Sequence, residues 1–223
     1  MPDEEIAPHQ QAQDEDTAVD SAPGLDAPRR KRPKPGERRI QILQTLASML
    51  EQPSAERVTT AALAARLDVS EAALYRHFAS KAQMFEGLIE FIEQSVFGLI
   101  NQIHEREQGD GARQVARIVS MVVQFAEKNP GMARVMVGDA LVFENERLQQ
   151  RMNQFFDKIE AALRQCLRTA PTDSATPTVD AQVRASILTA FVVGRLQRFV
   201  RSGFKRPASE HLDASLAHML AAV

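Results

Sequence analysis

Apolar residues in this chain recur at three- and four-residue spacings from Ile40 almost to the C-terminus, and nowhere alternate with polar residues over a strand's length. Side chains at those spacings share one face of a helix, so each run must bury a stripe against another helix. The expected fold class is therefore all-α, and breaks in the pattern divide the chain into about nine helices. The first spans about 37–51, with Ile40, Leu43, Leu46, Ala47 and Leu50 as its stripe and Pro53 as its stop. Two short helices follow, "TTAALAARL" with Thr60 as N-cap and "SEAALYRHF" with Ser70 as N-cap. Ser80 caps a long fourth helix from about Lys81 to Glu105. A fifth covers about 112–128, a short sixth 131–139, a long seventh 145–168, a long eighth 180–204 and a ninth 209–220, with a loop at 170–178.

Composition narrows the setting. Of 223 residues, 44% are hydrophobic and 25% charged, ordinary values for a soluble globular protein. The single cysteine, Cys166, permits no internal disulfide and fits a reducing cytoplasm. No apolar run approaches the ~18–20 residues that a spanning helix needs, and the acidic start lacks the apolar centre of a signal peptide, so no membrane partner is expected.

The formal net charge of −2 hides an uneven distribution. Residues 1–28 hold eight acids and no Lys or Arg; residues 29–81 hold eleven Lys/Arg against five acids; residues 82–223 hold sixteen of each. A local basic excess is what a phosphate-binding surface needs, although solvated surface charge gives the same count. Residues 1–36 lack any helical period and are expected to be a disordered extension whose basic end, "RRKRPKPGERR", is able to track a phosphate backbone. The expected organisation is this extension, a helix-turn-helix DNA-binding head at 37–83, and a helical body for dimerisation and partner binding at 84–223.

The head has helix-turn-helix spacing. Counting from Thr60, the close helix crossing at the fifth position falls on Ala64, the turn at the ninth on Asp68, and the packing residue at the fifteenth on Leu74. Asp68 stands where glycine is usual, and Asp visits φ > 0 at some cost. On the third helix Leu74 and Phe78 face the core, with Val69 packing just before the cap; Glu71, Ala72, Tyr75 and Arg76 point away. A short helix presenting small residues, a tyrosine and an arginine suits the major groove. Arg76 is a donor for guanine edges or for phosphate, and the Tyr75 hydroxyl is a phosphate donor. Thr59, Thr60 and Ser70 put hydroxyls and free N–H groups at helix starts, and Lys81 reaches a further phosphate. His77 reads as a packing or capping residue rather than a base contact.

"TTAALAARLDVSEAALYRHFASKAQMFEGL" resembles the DNA-binding head of the TetR family of bacterial regulators, with Tyr75, His77-Phe78 and Ser80-Lys81 matching its "Y-x-H-F-x-S-K" motif. "LIEFIE" (88–93), "NPGMARVMVGDALVFENERLQQRMNQFF" (129–156) and "RFVRSGFKRP" (198–207) are similar to the nucleoid-occlusion branch of that family, so the resemblance covers about residues 37–207. It implies a TetR-like fold of about nine helices, binding as a homodimer to palindromic sites in double-stranded DNA, and a nucleoid-associated protein. It also implies a protein partner, the cell-division GTPase FtsZ, whose C-terminal tail would lie along the fourth and fifth helices and whose polymers would be disrupted. The positions carried over are Phe91, Gln94, Ser95 and Gly98, facing Met121, Gln124, Phe125 and Lys128. Read from the residues alone, Phe91 and Phe125 are core packing. No cofactor and no small-molecule ligand are implied.

Dimerisation also follows from the eighth helix. Val183, Ile187, Ala190, Phe191 and Gly194 form more apolar surface than one subunit can cover, with the ninth helix as its expected partner. An enzyme is not expected. HExxH, phosphate-loop and dinucleotide motifs are absent; His9, His77, His104, His211 and His218 are scattered; and Cys166 sits among apolar positions. The alternative reading is a ligand-responsive TetR-type repressor, with Met and Phe lining a body pocket. A divergently transcribed efflux or catabolic gene next door would favour the repressor, and sites dispersed around the chromosome would favour nucleoid occlusion.

Overall fold

The computed structural model describes residues 36–52, 57–170 and 176–221. They form nine α-helices and one 3₁₀ turn, with no strand among the described residues. The helices are α1 (Glu37–Leu50), α2 (Thr60–Arg66), α3 (Glu71–Tyr75), α4 (Lys81–Arg106), α5 (Gly111–Lys128), α6 (Pro130–Met136), α7 (Glu146–Thr169), α8 (Pro177–Arg201) and α9 (Leu212–Ala221); the 3₁₀ turn is Asp139–Leu141. The extension at 1–35 and the stop at Pro53 lie outside the described residues.

Local chemistry sets most helix starts. Ser70 accepts from the Ala73 amide, Ser80 from Gln83, Asp110 from Arg113 and Asn145 from Arg147, each satisfying a donor that a helix start leaves open. The α2 cap is Thr59 rather than Thr60: its Oγ1 accepts from the Ala62 amide, and Thr60 is the first helical residue. The expected loop at 170–178 is shorter at its far end, because Pro177 opens α8, where its missing N–H costs nothing. The α1 stripe also shifts. Ile42 is fully buried with Leu46, Ala47 and Leu50, whereas Ile40 is 57% exposed. Two residues turn a helix by about 200°, so Ile40 and Ile42 cannot share a face, and the body selects Ile42.

The body is built around α5, whose Val115, Ile118, Val119, Val122, Val123 and Ala126 are all buried, and α8 runs along α7. Two glycines let helix ends dock closely. A Cβ on Gly131 of α6 would lie 2.0 Å from the Ala47 carbonyl oxygen of α1, and one on Gly111 of α5 would lie 2.1 Å from the Cys166 carbonyl oxygen of α7. Arg134 reinforces the first junction by donating to the Leu50 and Gln52 carbonyls while pairing with Asp139 at 2.6 Å. Arg147 pairs with Glu86, and Arg151 with Glu93 at 2.5 Å, tying α7 to α4. The expected boundary at 83/84 falls within the first turn of α4, so one continuous helix serves both head and body.

Candidate nucleic-acid interface

The head brings α2 and α3 together through a tight turn. Asp68 adopts φ 55°, the left-handed conformation expected at that position. The Val69 amide then bonds the Ala64 carbonyl at 3.0 Å, and Ala64 is buried where the helices cross. Leu74 and Phe78, each 1% exposed, anchor α3, and the Arg39 guanidinium stacks 4.1 Å above the Phe78 ring. The Arg39 head group also donates to the His77 carbonyl, fixing the chain just beyond α3.

This anchoring leaves one outward face. Thr59, Ser70, Glu71, Ala72, Tyr75, Arg76 and His77 are exposed there, and Thr60 is half-buried. Thr60 Oγ1 donates to Glu71 Oε2 at 2.6 Å, and the Tyr75 hydroxyl lies 3.5 Å from Thr60 Oγ1, so these three side chains form a chain of contacts across the motif. That chain holds the tyrosine, which is 44% exposed, in a defined position. Arg76 has no ion-pair partner among the described residues.

The structure redistributes the basic charge. Most of the positive excess belongs to residues 29–34, outside the described residues. Within the head, Arg39 is engaged with His77 and Phe78, Arg66 lies 3.5 Å from Ser48, and Arg57 and Lys81 both face Glu144. Lys81, expected on a phosphate, has its Nζ 2.5 Å from Glu144 Oε1. Sequence reasoning missed Glu144 because a lone acid in a loop 63 residues away carries no local signal.

Two body surfaces complete the map. A groove of about 580 Å³ runs between α4, α5 and α9, with Leu99, Ile103, Met121, Leu216 and Leu220 on its walls and Arg106, Arg113 and Arg117 among its polar residues. Of the partner positions named from the sequence, Met121 and Gln124 line it. Phe91, Gln94, Gly98 and Lys128 are exposed, Ser95 and Phe125 half-buried, and Gln94 bonds Glu90. Phe91 is 48% exposed and so is not core in this chain. On α8, Val179, Val183 and Ile187 are each more than half exposed, with Ala190 exposed and Phe191 and Gly194 half-buried farther along. Nothing lies within 4 Å of a Cβ built on Gly194. The ninth helix packs on α5 and is joined to α8 by Arg195, which donates to Ser215 Oγ at 3.3 Å.

Cys166 is 2% exposed with its sulfur 3.3 Å from His104 Nε2, and burial pushes its thiol up to about 11. It is a neutral thiol at pH 7, unlike an activated nucleophile. No described helix is long and apolar enough to cross a membrane.

Comparison with known proteins agrees with this geometry. The family described as bacterial regulatory proteins, tetR family, matches residues 42–88, and the SlmA-like tetracyclin repressor-like C-terminal domain matches residues 110–221. The nucleoid occlusion factor SlmA of Idiomarina loihiensis is 49% identical over 178 residues, covering 79% of this chain and 90% of its own. That of Marinomonas sp. is 51% identical over 173 residues, covering 77% and 87%. Among solved structures, a transcriptional regulator from Rhodococcus sp. superposes with TM-score 0.67 at 20% identity, covering 82% of this chain and 94% of its own. Bacillus subtilis FadR, solved with stearoyl-CoA, superposes with TM-score 0.64 at 14% identity, covering 82% and 98%. These last two share the fold alone, whereas half-identity over 79% and 77% of its length places the chain in the SlmA family of nucleoid occlusion factors, a branch of the TetR-type helix-turn-helix regulators.

Proposed function

We propose that this protein is a non-enzymatic, sequence-specific DNA-binding inhibitor of cell division that acts over the nucleoid. The observation that carries the reading is the outward Tyr75–Arg76 face of a helix-turn-helix, on a chain that is 49% and 51% identical to nucleoid occlusion factors over 178 and 173 aligned residues. Arg76 supplies a planar donor for base edges or phosphate, Tyr75 a hydroxyl, and the starts of α2 and α3 place Thr59 and Ser70 beside them. The head at 37–83 binds DNA, and the body beyond it pairs two copies through the α8 stripe, so that two heads meet the half-sites of a palindrome.

Bound there, the protein contacts FtsZ through its C-terminal tail and disrupts its polymers. The α4–α5 side of the body is the proposed contact. Met121 and Gln124 line the groove there, Phe91 supplies exposed apolar surface nearby on α4, and Lys128 supplies charge on α5. An extended peptide with apolar and acidic residues suits such a surface. The cytoplasm and the nucleoid are the corresponding location.

Sedimentation of FtsZ polymers with GTP tests this directly. The pelleted fraction should fall when the protein is added with its palindromic duplex, and fall less with the protein alone. Unchanged polymer in both conditions would leave the ligand-responsive repressor as the reading.

A further inference from the structure

We infer that Lys81 and Arg57 build a phosphate-binding position at the joint between head and body, that the Glu144 carboxylate fills it in the protein free of DNA, and that a DNA backbone phosphate replaces that carboxylate on binding. The inference rests on the DNA-binding reading above and adds a means by which the body registers DNA.

The geometry is that of a substitute anion. Glu144 belongs to the loop between the 3₁₀ turn and α7, yet its side chain is only 8% exposed. A carboxylate that far from water needs cations around it. Lys81 Nζ lies at 2.5 Å and Arg57 Nε at 3.6 Å. Both cations come from the head. Arg57 stands just before α2, and Lys81 opens α4 immediately after the recognition segment. They therefore sit at the starts of the two helices that flank α3 in the chain. Arg57 remains 61% exposed on its side chain, so solvent and a larger anion can reach it. Arg134 lines the same small cavity of about 190 Å³, but Asp139 already neutralises it. The site thus holds two head cations and one body carboxylate, and a phosphate oxygen offers those cations the same kind of acceptor.

The exchange has a mechanical consequence. Arg57 also donates to the Phe143 carbonyl, so the two cations clamp the loop by charge and by backbone. The loop's Val142 and Phe143 are 59% and 75% exposed, so their side chains add little packing, and the tie left at Glu144 once the cations leave is its amide's bond to the carbonyl of buried Leu141 at 3.0 Å. Asn145, the next residue after Glu144, caps α7, whose first turn pairs with Glu86 of α4 through Arg147. Turning Lys81 and Arg57 onto a phosphate therefore releases the segment that sets the start of α7, and α4 runs from this joint to the α4–α5–α9 groove. Coupling of this kind is reciprocal: whatever steadies the released loop strengthens DNA binding.

The test uses the full-length protein and a palindromic duplex that it selects from a randomised pool, with affinity measured by fluorescence anisotropy across about 50–200 mM salt. Lys81→Gln should lower the slope of log affinity against log salt by roughly 0.9, the value for one phosphate. Glu144→Gln, which removes the competitor, should tighten binding on the order of tenfold. That gain should vanish in the Lys81→Gln, Arg57→Gln background. In the unaltered protein, hydrogen exchange at 143–148 should quicken when the duplex binds. This last measurement stands even where a variant folds poorly. A salt slope indifferent to Lys81→Gln, a Glu144→Gln gain that survives without the two cations, or unchanged exchange at 143–148 each overturns the exchange while leaving DNA binding intact. A pool that yields no duplex overturns the DNA-binding reading, and this inference with it.

Discussion

The outward face of the head and the α8 stripe of the body are both uncovered, and the two differ in chemistry. On the head the outward residues are Thr59, Ser70, Glu71, Tyr75, Arg76 and His77, polar groups at home in water. On α8 they are Val179, Val183, Ile187 and Ala190, which are not. Water tolerates the first face indefinitely, so that face depends for its occupant on charge and hydrogen bonding. The second face gains free energy by meeting another apolar surface, roughly 25 cal/mol for each Å² removed from water. One polymer thus carries a surface suited to a polyanion and one suited to a second copy of itself, and a single helix, α4, joins the two regions.

The largest expected effect breaks the joint on which the comparison rests. Gly131→Val would place side-chain carbon against the Ala47 carbonyl, where even a Cβ would sit at 2.0 Å. Helix backbones cannot yield as a flexible side chain can, so the loss should reach about 4 kcal/mol or more. Thermal unfolding should show a large fall in Tm or no folded protein; a melting curve like the parent's would mean that α6 does not dock on α1 at this distance.

Next comes the apolar face. Val183→Asp with Ile187→Asp puts two charges where a dimer would bury them, at several kcal/mol each when unpaired. Sedimentation equilibrium should change from dimer to monomer at micromolar concentration, with helical content retained because both positions face solvent in one chain. A parent protein already monomeric would break the comparison from this side.

The polar face follows. Tyr75→Ala with Arg76→Ala should reduce binding to the selected palindrome by about 100-fold or more, at roughly 1–3 kcal/mol per specific contact. Stability should move by only about 0.5 kcal/mol, as for other exposed positions. Retained binding would place recognition elsewhere than α3.

The smallest effect lies in the interior between the faces. Because burial holds the Cys166 thiol near 11, alkylation of the folded protein should be slow at pH 8 and quicken towards that value, while the unfolded chain reacts several-fold faster at pH 8. The folded value is raised, so this group's contribution to stability is complete below the unfolded thiol's pKa and is lost as pH rises through the folded one. Equal alkylation rates in the two states would contradict the burial.

Much of the fold was legible because its signals are local. Caps at Ser70 and Ser80 need only a side-chain oxygen and the next few amides, and the left-handed turn at Asp68 follows from its place in the motif. The apolar stripe on α8 was legible for the same reason. The α1 register was not: Ile40 and Ile42 are equally apolar, and only packing against the body decides which is buried. The groove walls contributed by α9 were missed because Leu216 and Leu220 meet Met121 across nearly a hundred residues of chain.

By itself, then, the sequence determined the helices, the caps at Ser70 and Ser80, the helix-turn-helix spacing and the presence of an apolar and a polar face, since each depends on contacts within a few turns of one segment. Tertiary structure alone decided that α9 lies on α5, that Gly131 and Gly111 mark close helix approaches, and that Lys81 meets Glu144. Those facts depend on which distant groups are brought within a few ångströms. Coulomb attraction and steric exclusion at that range are set by the folded path of the chain, and no local pattern of residues encodes them.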